Sequence, residues 1–140
     1  MPENKMTQAE LAERLTVAPF HKWLGLELTA MDEDGITIQV PWREEFVVNV
    51  EVGYTHGGVL ATLIDVAADY AIAAKIGRPV PTIDMRVDYH RPAMQGILTV
   101  KAQAVKLGGQ FSTGDAQVYD DKGKLLASGR GVYLTTPPKQ

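Results

Sequence analysis

The stretch Thr55-His-Gly-Gly-Val-Leu-Ala-Thr-Leu-Ile-Asp-Val-Ala-Ala-Asp-Tyr-Ala-Ile-Ala-Ala-Lys-Ile76 decides how the rest of this chain must fold. From Val59 to Ala74 every residue is apolar or small except Thr62, Asp65, Asp69 and Tyr70. A helix over this run is apolar on nearly every side, so it reads as a core helix that other elements must cover on several faces. Two features go beyond packing. Asp65 stands in the middle of the run, where an unpaired carboxylate is costly, so it must be solvated, bonded or used. Gly57 and Gly58 stand at the head, where the first turn of backbone N–H groups has no partner inside the helix. A glycine pair lets a ligand atom approach that backbone, and the N–H groups with the positive end of the helix dipole favour developing negative charge. That is one way to build an oxyanion hole.

The flanking segments read as the cover. Thr7, with Glu10 three residues on, gives the capping-box pattern, so a short helix begins there and runs to Leu15. Pro19 stops or redirects it, and Phe20, Trp23 and Leu24 form an apolar cluster expected to pack on the main body. Leu26 to Met31 and Ile36 to Trp42 flank the turn Asp32-Glu-Asp-Gly35 and read as a hairpin. Residues 43–53 read as irregular. After the break Gly77-Arg-Pro-Val-Pro81, Thr82 to His90 alternates, with Ile83, Met85, Val87 and Tyr89 on the side expected to face the core. Gly96 to Lys106, Phe111 to Tyr119 and Lys124 to Thr135 are three further strands, separated by the turn signals Gly108-Gly109 and Asp120-Asp-Lys-Gly123.

Links this short imply antiparallel pairing. The reading is an α+β domain in which about five to six antiparallel strands wrap one long helix, with a short N-terminal helix beside them. Residues 1–140 form one domain, ordered over about 7–135. One sheet covers one side of a helix, so a second subunit is the expected cover for the rest, and a homo-oligomer follows.

Composition narrows the function classes. A net charge of -3 offers no global attraction to nucleic acid, so an anionic ligand needs a local cluster of Lys and Arg. With no cysteine there is no thiolate nucleophile and no Cys-based zinc site. The start Met-Pro-Glu-Asn-Lys-Met-Thr-Gln lacks the basic-then-apolar order of a signal peptide. Two Asp residues interrupt the apolar run, which argues against a membrane span. A cytoplasmic protein with no nucleic-acid or membrane partner is expected.

Gly53-Tyr-Thr-His56-Gly57-Gly58, Asp65 nine residues after the His, then Thr82-Ile-Asp84 and Tyr89-His-Arg91-Pro92, resemble the hotdog-fold acyl-CoA thioesterases of the phenylacetate-degradation (PaaI-like) group. The resemblance runs from about Trp23 to Leu134. It implies a long helix in a curled antiparallel sheet, dimers that join their sheets, active sites at the dimer interface, and common assembly into homotetramers. It further implies that Gly57 offers its N–H to the thioester carbonyl with His56 beside it, and that Asp65 of the other subunit acts as general base or nucleophile. Thr82 falls where relatives carry a Ser or Thr that places the water. Relatives often carry Asn six residues before the His; here that position is Val50, and Asn49 lies one residue off, reaching the site only through a local bulge. No cofactor and no metal are implied. Arg91, Lys106 and Arg130 are candidates for the nucleotide end of CoA.

Competing readings remain beside these. Asp65 could be a buried structural carboxylate bonded to an Arg or a hydroxyl, and Asp69, one turn on and on the same face, is its nearest rival. Gly57 and Gly58 could serve ordinary cap geometry. His21 and His90 have no ligand spacing, and neither a Gly-x-Ser-x-Gly elbow nor a P-loop occurs. A non-catalytic acyl-CoA-binding module, or a hydratase or dehydratase of the same fold, is the alternative function.

Overall fold

The computed structural model describes residues 5–138; Met1 to Asn4, part of the start that lacks a leader pattern, and the last two residues of the single-domain reading lie outside the described residues. Helix α1 (Gln8–Leu15) begins at the capping box, with the Glu10 N–H donating to Thr7 Oγ1 and the Thr7 N–H donating to Glu10 Oε1. It buries Leu11 and Leu15. Pro19 redirects the chain into a second helix, α2 (Pro19–Leu24), because a proline at the first helical position loses only an N–H that has no acceptor there. Gly25, at φ 76°, ends it in the left-handed conformation. Leu24 is buried, whereas Phe20 and Trp23 remain half exposed, Trp23 meeting Phe46 edge-on.

Strands β1 (Glu27–Met31) and β2 (Ile36–Val40) form the hairpin, its turn fixed by Asp32 Oδ1, which accepts from the Asp34 and Gly35 N–H groups. Residues 43–53 are more ordered than their sequence suggests. A 3₁₀ turn (Glu44–Phe46) buries Phe46, and β3 (Val47–Asn49) pairs with β4 (Tyr54–Thr55) in a small separate ribbon with an irregular register between Val47 and Asn49. The long helix α3 (Gly57–Ile76) follows, and then β5 (Thr82–Tyr89), β6 (Leu98–Lys106), β7 (Phe111–Tyr119) and β8 (Leu125–Leu134).

Six strands make one antiparallel sheet in the order β1-β2-β6-β7-β8-β5, curled over α3. This is the hotdog architecture that the resemblance implies. Ten residues of α3 are buried, from Leu60 to Ala74, and small residues set how closely the sheet can approach. A Cβ at Gly114 of β7 would lie 2.9 Å from the Ala68 carbonyl oxygen, and one at Gly129 of β8 would lie 3.0 Å from Ile64 Cγ2 and against the Arg86 carbonyl. Glycine at both positions lets the helix backbone sit almost on the strands.

β5 corrects one expectation. Met85 and Val87 are partly buried, but Ile83 and Tyr89, on the face read as core-facing, are 54% and 55% exposed. β5 is the last strand of the sheet and, among the described residues, pairs only with β8, so the ends of its apolar face are uncovered in a single copy. Among the described residues no helix is long and apolar enough to cross a membrane.

Candidate active site

The head of α3 is built from three consecutive residues, His56, Gly57 and Gly58. His56 caps the helix, its Nδ1 accepting from the Gly58 N–H at 2.8 Å. Because that backbone group only donates, Nδ1 holds the lone pair and the ring proton sits on Nε2, whose N–H has no hydrogen-bond partner among the described residues. The Gly57 N–H makes no hydrogen bond among the described residues. Its carbonyl receives the Tyr89 hydroxyl at 2.9 Å. Both glycines also answer to their own neighbours. A Cβ on Gly57 would lie 3.2 Å from the Tyr89 ring, and one on Gly58 would lie 2.9 Å from His56 Nδ1. The cap geometry and an open backbone donor therefore coexist here.

Two clefts flank this head. One, of about 380 Å³, has Gly57, Tyr89 and Arg91 in its lining, together with Thr55, whose buried hydroxyl is unpartnered. The other, of about 460 Å³, lies on the Gly58 side between Trp23, Phe46, Val48 and Val59, with His56 at its edge.

Asp65 stands two turns further along α3. Its Oδ1 accepts from Thr82 Oγ1 at 2.7 Å and from the Tyr133 hydroxyl at 3.0 Å, and Oδ2 has no hydrogen bond among the described residues. The structure thus brings Thr82 directly onto the carboxylate. Asp69, the rival acid, is held otherwise. Its Oδ1 accepts from the Val80 N–H at 2.9 Å, in the segment that leads into β5. Burial pushes the Asp69 carboxyl up to about 7, the Val80 N–H opposes that rise, and the charge of Asp65 adds to it. Asp69 anchors the chain that presents Thr82.

The remaining sequence-derived candidates are scattered. Asn49 Oδ1 accepts from the Glu51 and Val52 N–H groups, both at 3.1 Å, so its side-chain carbonyl is engaged in a local turn. Arg91 lines the cleft beside Gly57 while its Nη1 donates to the Leu125 carbonyl. Lys106 pairs with Thr113 at the end of the sheet where Leu134 bonds Pro81, just beyond the C-terminus of α3, and so lies far from Gly57 in its own chain. Arg130 alternates with the helix-facing Gly129 and so points to the opposite face of the sheet, where it forms a two-pronged pair with Asp115 at 2.6 and 3.0 Å. Tyr133 is a site residue that sequence reading does not supply, and Tyr89, part of the quoted motif but read there only as core-facing, reaches the Gly57 carbonyl.

The thioesterase superfamily model matches residues 52–127, a span that holds the whole of α3 and more than half of the chain. The chain belongs to the thioesterase superfamily. A solved structure of another protein of that superfamily is 48% identical, with a TM-score of 0.89 and coverage of 92% of this chain and 98% of the other. The Escherichia coli PaaI protein, from the phenylacetic acid degradation operon, is 26% identical, with a TM-score of 0.76 over 91% of this chain and 94% of its own. Among curated relatives, the medium/long-chain acyl-CoA thioesterase YigI of Escherichia coli K12 is 24% identical over 132 residues, covering 83% of this chain and 84% of its own.

Proposed function

We propose that this protein hydrolyses acyl-CoA thioesters of small or aromatic acids to the free acid and CoA, without a cofactor, in a homodimer or a dimer of dimers. The observation that carries the reading is the Asp65 carboxylate, set in an apolar helix with one oxygen held by two hydroxyls and the other open, on the same helix as the open Gly57 N–H.

Eight residues of helix separate the two groups, about 12 Å along the axis, too far for one thioester group to touch both in a single chain. A second copy resolves this. Joining two copies along the free edge of β5 covers Ile83 and Tyr89 and lets Asp65 of one copy face Gly57 of the other.

In that site the Gly57 N–H stabilises the oxyanion that forms on the thioester carbonyl, with His56 beside it. Asp65 takes a proton from the water that adds to the carbonyl, or adds itself and is then released by water. Either way the C–S bond breaks, the thiolate leaves as CoA and is protonated, and the acyl group leaves as the acid. Arg91, in the cleft beside Gly57, suits the nucleotide end of CoA, and the cleft walled by Trp23 and Phe46 suits an apolar or aromatic acyl group. The likeness to PaaI supports the aromatic choice, whereas the name of YigI points to longer chains.

The test is release of free thiol from a panel of acetyl-, phenylacetyl-, benzoyl-, octanoyl- and palmitoyl-CoA, with Asp65→Asn measured beside the parent. Turnover of the short or aromatic esters that disappears in Asp65→Asn is the expected result. Tight binding of acyl-CoA without turnover would favour a binding module, and enoyl absorbance formed from a 3-hydroxyacyl-CoA would favour a dehydratase.

A further inference from the structure

Tyr133 is the largest fully buried side chain among the described residues, yet its polar end is aimed at one group. It lies on β8 opposite Thr82 of β5, so the strand register places two hydroxyls side by side under α3. The Tyr133 hydroxyl lies 3.0 Å from both the backbone carbonyl and Oδ1 of Asp65. A donor shared between a residue's carbonyl and its own carboxylate fixes the torsions between them, and Thr82 Oγ1, at 2.7 Å, completes the hold. Space for the phenol is reserved as well: a Cβ at Gly131 would collide with the Tyr133 ring and hydroxyl. Burial and the adjacent Asp65 charge push the phenol well above its usual value, so it remains a donor at any working pH.

We propose that Tyr133 is a positioning residue for Asp65: with Thr82 it holds Oδ1 and turns Oδ2 toward the water or the thioester carbonyl. The inference rests on Asp65 being the catalytic acid of the proposed hydrolase. It adds a residue 68 positions away whose hydroxyl, among the described residues, bonds only Asp65. A carboxylate held within a few tenths of an ångström of its productive pose supplies orientation in advance of the reaction, so loosening it lowers turnover more than binding.

The experiment measures kcat and KM on the best acyl-CoA for the parent, Asp65→Asn, Tyr133→Phe and the double variant Asp65→Asn/Tyr133→Phe, with thermal unfolding of each. Tyr133→Phe keeps the ring and removes only the hydroxyl. Its kcat is expected to fall about tenfold with KM within twofold of the parent, the scale of one hydrogen bond to a charged group. In the Asp65→Asn background the same change is expected to lower residual turnover no further. A Tyr133→Phe protein that folds and keeps kcat within twofold of the parent overturns the proposal, as does an equal further fall in the Asp65→Asn background. Should Tyr133→Phe not fold, 4-fluorophenylalanine placed at position 133 fills the space of the hydroxyl without offering a donor; kcat lowered at constant KM supports the clamp, and unchanged kcat overturns it. A parent without turnover on any ester removes the hydrolase reading and this inference together, whereas an active parent, an inactive Asp65→Asn and a fully active Tyr133→Phe remove only this inference.

Discussion

Replacing Asp69 by asparagine should stabilise the protein increasingly as pH rises. Asp69 is held at about 7, against the usual carboxylate value of 3.8, chiefly because burial disfavours its charge. The folded state therefore keeps a proton that the unfolded chain releases, so this group's contribution is intact below about 3.8 and is lost as pH climbs toward and through 7. A gap of about three pH units corresponds to roughly 4 kcal/mol once the loss is complete, and about 2 to 3 kcal/mol of it falls between pH 5 and pH 8. The amide introduced by Asp69→Asn keeps an oxygen for the Val80 N–H and carries no titrating proton, so it should escape this penalty. Urea unfolding of parent and Asp69→Asn at pH 5 and pH 8 isolates the effect, because every other titrating group largely cancels in the difference. The advantage of Asp69→Asn should grow by about 2 kcal/mol or more from pH 5 to pH 8. A difference that stays flat with pH, or shrinks, refutes the reasoning.

Three further outcomes follow from named contacts. Gly129→Ala should destabilise by about 1 to 3 kcal/mol in the same unfolding assay, since the added Cβ meets Ile64 and a strand carbonyl that cannot swing aside. Thr7→Ala removes the capping box of α1 and should cost about 1 kcal/mol by thermal or urea unfolding. Gly57→Pro removes the N–H at a first helical position, where proline is tolerated, and His56 already has a backbone conformation that a following proline accepts; the Cβ added at position 57 also meets the Tyr89 ring at 3.2 Å, so Tyr89 must shift by a few tenths of an ångström. Its kcat for thioester hydrolysis should fall by about 10² or more with the fold retained by circular dichroism.

Much of this architecture is written in local pattern. The unbroken apolar run of α3, the Thr7 to Glu10 box and the alternation in β2 and in β6 to β8 each carry their own period. What the pattern leaves out is pairing and cover. Alternation in β5 tells which side chains share a face, but not that Ile83 and Tyr89 lie uncovered at a sheet edge. Helix α2 is too short for a period, although Pro19 and Gly25 bracket it with start and stop signals that could have been read. Isolated glycines within strands, Gly114 and Gly129, were likewise a readable sign of close backbone approach. At the site, His56, Gly57 and Asp65 stand out because they break an apolar helix or open it. Tyr133 does not, because an aromatic residue in a strand is ordinary until the register brings it across from Thr82 and beneath Asp65. Asn49 sits beside the register irregularity of the β3–β4 ribbon, with its side-chain carbonyl bound to its own turn, a detail that no sequence pattern announces.

The most direct measurement joins two inactive copies. Asp65→Asn and Gly57→Pro chains, carried on different affinity tags and purified in tandem as mixed dimers, contain one site with both intact groups only if Gly57 and Asp65 act across the subunit contact. Mixed dimers with about half the parental turnover per dimer are expected, one of the two sites being whole. Mixed dimers as inactive as either parent variant would contradict a site shared between copies.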